Sequence, residues 1–266
     1  MTEREVLVTV LFFAGARDLA GVDRSAVTLT AITTPEQLLA QVVRSFGEIA
    51  KIRESVIISL NQEYCEPGQW LVLSTGDEVA IIPPISGGMS LIFRTVINNI
   101  QLGIMDYIKL TQDVLSVEEI TGLITNPSCG AISLFVGTTR NNFQGKNVVR
   151  LEYEAYHEMA EKEMGKLIKE ARNKWSLKHI ALYHRLGLVP VTESSVIVAV
   201  SSEHRRESLD AVSFLIDNLK ANVPIWKKEV YSDGSDDWKK NKECVWVKEE
   251  DGQDTVDKII NNNKST

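Results

Sequence analysis

A short segment at residues 83–88 divides the chain into two parts. It reads Pro83-Pro84-Ile85-Ser86-Gly87-Gly88, so two prolines stiffen the backbone and two glycines leave the end of the segment without side chains. One interpretation is a flexible linker, which a Gly-Gly pair alone would support. The other is a stiff stalk with a slim tip that can enter a narrow pocket. The residues on either side of the segment bear on this choice.

The part before the segment predicts a small sheet curled over one helix. We predict strands at 5–13, 25–30 and 55–64 and short strands near 69–73 and 78–82, with a turn at 75–77. A helix is predicted over 34–46, because Thr34 is a good N-cap and Pro35 suits the first helical position. The order β-β-α-β-β-β is the β-grasp order, which ubiquitin shares.

The part after the segment alternates helices and strands, which predicts an α+β fold with an α/β sandwich. Residues 89–110 read as an irregular to weakly helical connector, and the polar tail 249–266 as disordered. Ser116 and Glu119 form a capping-box pattern at the start of a short helix. The predicted elements are helices at 116–124 and 157–175, a buried strand at 129–140, strands at 147–156, 178–187 and 194–202, and an extended segment at 225–231.

A further helix follows Ser202, and its cations lie at its two ends. Apolar residues recur at steps of three and four, which predicts one buried stripe made of Leu209, Val212, Ile216 and Leu219. His204 and Arg205 stand at the helix start, where free N–H groups favour anions, and Lys220 stands near its end. The alternative is a surface helix with solvated basic ends.

Arg205 and Lys220 are too far apart to touch one small ligand within one copy. A helical rise of 1.5 Å per residue separates them by about 22 Å. Either they serve different sites, or one of them comes from a second copy. We favour a two-fold dimer, which would place each helix start beside the partner's helix end.

Composition limits the class of protein. The net charge of −7 argues against a general nucleic-acid binder. The three cysteines lack CxxC spacing, which fits a reducing compartment and no zinc site. Without an apolar run of about eighteen residues or a leader peptide, we expect a cytosolic protein with no membrane span.

Two sets of motifs resemble one enzyme family. GDEVAIIPPISGG, residues 76–88, is close to the C-terminal pattern of the small, sulfur-carrying subunit of molybdopterin synthase. The segments GAISLFVGTTRNN, LEYEAY, HRLGLVPV, AVSSEHR and LKANVPIWKKE resemble the large, catalytic subunit over about residues 106–248. The resemblance thus covers most of the chain, with the two partner subunits in one polypeptide.

The resemblance implies an organisation and a reaction. It implies a β-grasp sulfur-carrier domain at 1–88, a connector at 89–110 and a catalytic domain at 111–248. In the family, two sulfurs pass from carrier thiocarboxylates to cyclic pyranopterin monophosphate, and the dithiolene of molybdopterin results. We expect no metal and no organic cofactor, because sulfur is carried as a glycyl thiocarboxylate. Expected partners are an adenylating, sulfur-loading enzyme and a second copy, giving a (small-large)2 homodimer.

The resemblance also implies roles for particular residues. Gly88 is the thiocarboxylate carrier, and Lys220 and Lys227 are the catalytic residues. The implied substrate-binding residues are Arg140, His204, Arg205, Lys228 and Glu229.

Alternatives remain for several of these residues. Lys220 could be an ordinary C-terminal helix lysine, and Arg140 could simply be solvated. In an extended 225–231 segment, Trp226 and Lys228 point opposite to Lys227, so Lys228 could face solvent.

The chain departs from the family pattern at Met89. Gly88 is joined to Met89 and has no free carboxylate, so the intact chain cannot form a terminal thiocarboxylate there. Three routes provide a free glycine end: a cut after Gly88, a separate translation start at Met89, or carriers supplied by other chains. Two other functions stay open, namely a non-catalytic ubiquitin-like scaffold fusion and a general sulfur carrier.

Overall fold

The computed structural model describes residues 4–84 and 103–239, and the first range forms a sheet curled over a helix. Its elements are β1 (Glu5–Phe12), α1 (Ala14–Ala20), β2 (Arg24–Thr30), β3 (Ile32–Thr33), α2 (Pro35–Ser45), a 3-10 helix (Gly47–Ile52), β4 (Ile57–Leu60), β5 (Glu63–Tyr64), β6 (Leu71–Val72) and β7 (Glu78–Ile82). The main sheet has the order β2-β1-β7-β4-β5. Its two central strands, β1 and β7, are parallel, as the β-grasp order predicts. We call this range the small unit.

Helix α2 begins where local chemistry predicts. The Thr34 hydroxyl accepts a hydrogen bond from the Gln37 amide, and the Gln37 side chain accepts one from the Thr34 amide, which completes a capping box. Leu38, Leu39 and Val42 lie on its buried face and pack into the core of the small unit.

Two features of the small unit differ from the prediction. Helix α1 was not predicted. It begins at Ala14 with φ 45° and no side-chain cap, so the local sequence gives no start signal. The predicted strand at 55–64 is instead a hairpin, because Asn61 and Gln62 both take positive φ and reverse the chain between β4 and β5.

Residues 103–239 form two sheets and three helices, which we call the large unit. Its elements are β8 (Met105–Thr111), α3 (Val117–Ile124), β9 (Ala131–Thr138), β10 (Asn142–Phe143), β11 (Lys146–Ala155), α4 (His157–Lys174), β12 (His179–Arg185), β13 (Gly187–Pro190), β14 (Ser194–Ser202), α5 (Arg205–Asn222), β15 (Ile225–Tyr231) and β16 (Asp236–Lys239). One sheet has the order β8-β12-β14-β9, and the other has the order β10-β11-β15-β16 with β13 also paired to β11.

Helices cover both faces of the first sheet. Strand β12 shows this by alternation, because Ile180 and Leu182 pack with α4 and α5 while Ala181 and Tyr183 pack with α3. This layering gives the predicted α/β sandwich.

Four details of the large unit correct the sequence reading. Residues 105–110 of the predicted connector belong to β8, which pairs in parallel with β12. The predicted buried strand β9 is an edge strand with Ile132 and Leu134 partly exposed. Leu209 is 56% exposed because α5 turns Ala211 and Leu215 to the core beside Val212, Ile216 and Leu219. Strand β16 was not predicted. The predicted tail 249–266 lies outside the described residues.

The two units are docked through an apolar cluster. Leu11, Ala14, Ala80 and Ile82 of the small unit pack with Tyr156, Met159 and Trp226 of the large unit. The Phe13 ring stacks on Tyr156 and on Trp226, with centroids 4.7 and 5.2 Å away.

Polar contacts surround this docking cluster. The Arg17 guanidinium lies 2.8 Å from Glu154, and Glu63 forms ion pairs with Lys162 and Lys166 at 2.5 and 3.0 Å. The Tyr64 hydroxyl donates to the Asn222 carbonyl at 3.0 Å. The predicted two-part chain is therefore one assembly in which the small unit is seated on the large unit.

Candidate active site

Lys220 lies on the last turn of α5 and is exposed. Its ammonium lies 5.6 Å from the centre of the Phe135 ring on β9, a cation–π distance. Just beyond Lys220, the chain turns through Val223 and Pro224 into β15. Helix α5 therefore places Lys220 beside the strand that carries the second predicted lysine.

Lys227 lies on β15, directly opposite Tyr153 of β11. Its side chain is 29% exposed, and its ammonium lies 3.5 Å from Glu229. Burial lowers the pKa of Lys227, Glu229 opposes this shift, and the positive charges of Lys220 and Arg140 add to it. A lysine with a lowered pKa has more neutral amine near pH 7 and is better suited to act as a base or nucleophile.

Arg140 follows β9, in the turn before β10, and its side chain is exposed. Because Arg140 and Lys220 both act electrostatically on Lys227, three cations from three different elements share one region. We call Arg140, Lys220 and Lys227 the cation cluster. Such a cluster suits a phosphorylated ligand.

Glu229 lies behind the cation cluster and is only 4% exposed. The Tyr231 hydroxyl donates to Glu229 Oε2 at 2.8 Å, and the ammonium of Lys239 lies 3.9 Å from the same oxygen. This buried carboxylate is therefore held by three side chains and is positioned to orient Lys227 rather than to meet solvent.

Tyr153 connects Lys227 to the strand that leads to Arg140. Its hydroxyl donates to Ser195 Oγ at 3.2 Å, and Ser195 donates to the Gly137 carbonyl at 3.3 Å. A side chain at Gly137 would collide with Val196, whose nearest atom would lie 2.7 Å from the added Cβ. Close packing of Gly137 against the Val196 side chain thus fixes the end of the strand that precedes Arg140.

Lys228 does not join the cation cluster. Successive side chains of a strand alternate, so Lys228 points to the opposite face of the sheet, as the sequence predicted for it and for Trp226. Its ammonium lies 3.3 Å from Asp236 and 5.5 Å from the Trp238 ring centre. Lys227 and Lys228 are therefore not brought together on one face of the sheet.

A cavity of about 220 Å³ lies on that opposite face, where the units meet. Arg17, Glu154, Lys228 and Trp238 are among its lining residues. Its cations face carboxylates, since Arg17 pairs with Glu154 and Lys228 with Asp236. We therefore place the site for an anionic substrate at the cation cluster and not in this cavity.

His204 and Arg205 lie at the opposite end of α5 from Lys220. Both side chains are exposed, and His204 is the N-cap residue without a side-chain capping bond. Within one copy they are not brought to the cation cluster, and Gly88 lies outside the described residues.

The last described residues of the small unit contact the strand that carries Lys227, on its opposite face. The Trp226 indole N–H donates to the carbonyl of Pro83 at 3.1 Å, and this contact is buried. Trp226 is the immediate neighbour of Lys227. The five residues that follow Pro83, up to Gly88, can span at most about 17 Å when extended, which is enough to pass from one side of a sheet to the other.

Tyr153 and Lys239 were not predicted as site residues. Both are placed by strand pairing, Tyr153 opposite Lys227 on β11 and Lys239 opposite Lys227 on β16. The LEYEAY motif contains Tyr153, but the sequence alone does not give the register that selects it over its neighbours.

No metal site is evident in the part of the chain that the structure describes. There, no three His, Cys, Asp or Glu side chains gather closely enough to hold a metal ion. Across the same residues, no helix combines the length and apolar character needed to cross a membrane.

Two family models match the chain, one for each unit. Residues 10–88 match the ThiS family and residues 110–222 match the MoaE protein. The fold and the site thus define a ThiS-type, ubiquitin-like unit joined to a MoaE-type catalytic unit.

Curated relatives give the family. The chain is 61% identical over 150 residues to the molybdopterin synthase catalytic subunit of Bos taurus, covering 56% of this chain and 79% of that protein. The subunit of the same name from Taeniopygia guttata is 61% identical, and the match covers 54% of this chain and 94% of that protein. The human one is 62% identical, with 53% and 75% covered. The chain belongs to the molybdopterin synthase catalytic subunit family and carries its ThiS-type small unit in the same polypeptide.

Solved structures of similar proteins include two bacterial ones. Molybdopterin synthase from Staphylococcus aureus is 33% identical with a TM-score of 0.47, covering 49% of this chain and 94% of that one. The MoaE protein from Burkholderia ambifaria is 30% identical with a TM-score of 0.43, covering 52% and 88%.

Proposed function

We propose that this chain is a molybdopterin synthase that transfers sulfur from a Gly88 thiocarboxylate to cyclic pyranopterin monophosphate in molybdenum cofactor biosynthesis. The observation that carries the proposal is a cation cluster that includes Lys227 of β15, a strand whose opposite face contacts the docked small unit through Trp226. Family membership supports the reaction, and the position of Pro83 beside Trp226 supports delivery of the tip to Lys227.

The residues of the large unit fit the needs of this reaction. Arg140 and Lys220 supply positive charge for the substrate phosphate. The anionic thiocarboxylate sulfur bonds to a substrate carbon, and the cyclic phosphate opens as its oxygen leaves. Burial lowers the pKa of Lys227, so its free amine can take a proton from the water that hydrolyses the acyl–sulfur bond. This hydrolysis leaves the sulfur on the pterin and a carboxylate on Gly88, and a second thiocarboxylate supplies the other sulfur of the dithiolene.

His204 and Arg205 enter this proposal through a second copy. Their separation from Lys220 along α5 excludes a shared small ligand within one protomer. We therefore propose a homodimer through the large unit, in which these residues grip the phosphate in the partner's site. Lys228 has no place at this site and is predicted to matter less than Lys227.

The remaining requirements are a free Gly88 and a source of sulfur. An adenylating, sulfur-loading enzyme supplies the thiocarboxylate, and no metal or organic cofactor is needed. We propose a cytosolic setting without nucleic-acid or membrane partners. Cleavage after Gly88, a separate start at Met89 and carriers from other chains all provide a free glycine end.

The test is turnover by lysine variants of the full chain, supplied with substrate and thiocarboxylated carrier. We expect Lys220→Ala and Lys227→Ala each to reduce formation of the dithiolene product, measured by mass spectrometry, at least about 100-fold. Lys174→Ala is a matched control, because Lys174 also ends a helix with its ammonium 4.8 Å from a phenylalanine ring centre. Wild-type turnover in both site variants would refute the proposal and favour a non-catalytic scaffold.

Intact mass spectrometry of the protein from its native source tests the state of Gly88. A separate species ending at Gly88 supports the carrier role. A single undivided chain that forms product without added carrier would contradict the proposed mechanism.

A further inference from the structure

Lys239 is a fourth cation on the Lys227 face of the β15–β16 pair. It lies directly across from Lys227 in the antiparallel register, and directly opposed side chains of neighbouring strands have Cβ atoms about 5 Å apart. Its side chain is only 18% exposed. Its ammonium lies 4.9 Å from the Phe143 ring centre and 5.4 Å from that of Tyr231, which turns the charge toward the interior.

Two like charges in this position need a shared counter-charge, because opposed like charges destabilise a sheet. Glu229 supplies it, with Oε1 3.5 Å from Lys227 and Oε2 3.9 Å from Lys239. Lys239 also pairs with Asp237 at 2.9 Å, but Asp237 is 62% exposed and solvent screens that pair. The buried Glu229 is therefore the partner through which the two lysines sense each other.

The geometry points to Lys239 as a positioning residue that acts on Lys227 through the carboxylate they share. With Lys239 present, Glu229 is divided between two ammonium groups and stabilises the charged form of Lys227 less. Without Lys239, Glu229 pairs with Lys227 alone and favours its ammonium form. Lys239 thus keeps more of Lys227 as free amine, the form needed to accept a proton or attack.

The other titratable groups that face Lys227 are the same in the wild type and in the Lys239 variants. They are Tyr153 on β11, Lys220 on α5 and Arg140 after β9, besides Glu229 on its own strand. Burial lowers the pKa of Lys239, but Tyr231 and Asp237 raise it more, so Lys239 stays charged across the pH range in which Lys227 titrates.

The test is the pH dependence of Lys227 acetylation by acetic anhydride in the full chain, without substrate, followed by peptide mass spectrometry. We expect Lys239→Met to raise the midpoint of Lys227 labelling by about 0.5–1 pH unit, so labelling at pH 7.5 falls about three- to ten-fold. Lys239→Arg, which keeps the charge, should restore the wild-type midpoint.

Lys146→Met is the matched control. Lys146 places its ammonium 4.9 Å from the same Tyr231 ring, and in the described part of the chain it makes no ion pair with Glu229. In Lys146→Met, the pH midpoint of Lys227 acetylation should stay within about 0.2 pH unit of the wild-type midpoint.

An unchanged or lowered midpoint in Lys239→Met overturns the inference. So does loss of the fold, by circular dichroism, in both Lys239→Met and Lys239→Gln, because Lys239 would then be a structural residue. The inference rests on the proposed function only for the use made of the amine. If labelling shifts while the pH profile of turnover does not, the link from Lys239 to Lys227 stands and the catalytic role of Lys227 fails.

Discussion

Replacing Trp226 with phenylalanine removes one hydrogen-bond donor from the contact between the two units and keeps an aromatic ring. Trp226 is 2% exposed, and its indole N–H donates to the Pro83 carbonyl at 3.1 Å. Phenylalanine can still stack on Phe13, whose ring lies nearly parallel to that of Trp226 at 5.2 Å. The substitution therefore isolates the hydrogen bond from most of the packing.

The expected cost follows from the buried carbonyl that loses its partner. An unsatisfied buried polar group costs about 1–3 kcal/mol, so the docked state should become roughly 5- to 150-fold less favoured relative to the undocked one. Because this bond joins Trp226 of the large unit to Pro83 of the small unit, its loss should weaken the docking of the small unit.

Hydrogen exchange measured by NMR separates docking from folding. The Ala14 amide donates to the Glu154 carboxylate across the contact at 3.3 Å, so its exchange reports undocking. The Leu38 amide donates to the Thr34 carbonyl within α2 and reports the fold of the small unit. We expect exchange of Ala14 to accelerate roughly 5- to 150-fold in Trp226→Phe, with Leu38 unchanged.

Trp70→Phe is the matched control, because Trp70 is 68% exposed on the small unit. Trp70→Phe should change the hydrogen-exchange rate of neither the Ala14 amide nor the Leu38 amide. If Ala14 exchanges in Trp226→Phe as slowly as in the wild type, the hydrogen bond to Pro83 contributes nothing to docking. The contact with Trp226 would then not hold Pro83, and the segment that follows it, against the large unit.

Two further predictions concern pH and salt. Burial lowers the pKa of His184 to about 4, so as the pH falls, His184 is protonated in the unfolded chain before it is protonated in the folded one. The contribution of neutral His184 to the free energy of unfolding should therefore be complete above pH 6.5 and should fall by roughly 3 kcal/mol as the pH is lowered to 4. Urea unfolding measures this loss, which should be absent in His184→Gln. Glu63→Gln removes the carboxylate that pairs with Lys162 and Lys166. Because these charges are partly exposed, Ala14 exchange should rise less than about five-fold, and not at all in 1 M salt.

The sequence was sufficient where local chemistry decides the structure. Thr34 and Pro35 set the start of α2, and the Ser116 hydroxyl accepts from the Glu119 amide at the start of α3. Each of these signals acts within one helical turn, so no distant residue is needed to recognise it.

The sequence was insufficient where contacts between residues far apart in the chain decide the local structure. Helix α1 starts at Ala14, whose amide is satisfied by Glu154, 140 residues away. Leu209 fits the apolar period of α5 and is nonetheless exposed, because the sheet beneath, and not the period, selects the buried face. Tyr153 and Lys239 became site residues only through strand register.

The docking contacts clarify what a cut after Gly88 would change. The docking residues include Phe13, Glu63, Tyr64 and Pro83, which all precede Gly88 in sequence. A cut chain therefore keeps the docking contacts that the structure describes between residues 4–84 and 103–239. The cut removes only the covalent link, which supplies an effective concentration in the millimolar range for a short connection. Below that concentration a cut small unit dissociates more readily, and under the proposed function its Gly88 carboxylate is then available for adenylation by a separate enzyme. In the uncut chain the same contacts hold the small unit in place while Gly88 remains an amide. On the proposed function, loading therefore requires the cut, a separate translation start or a carrier from another chain. The proposed delivery to Lys227 would use the docked arrangement of the small unit on the large unit.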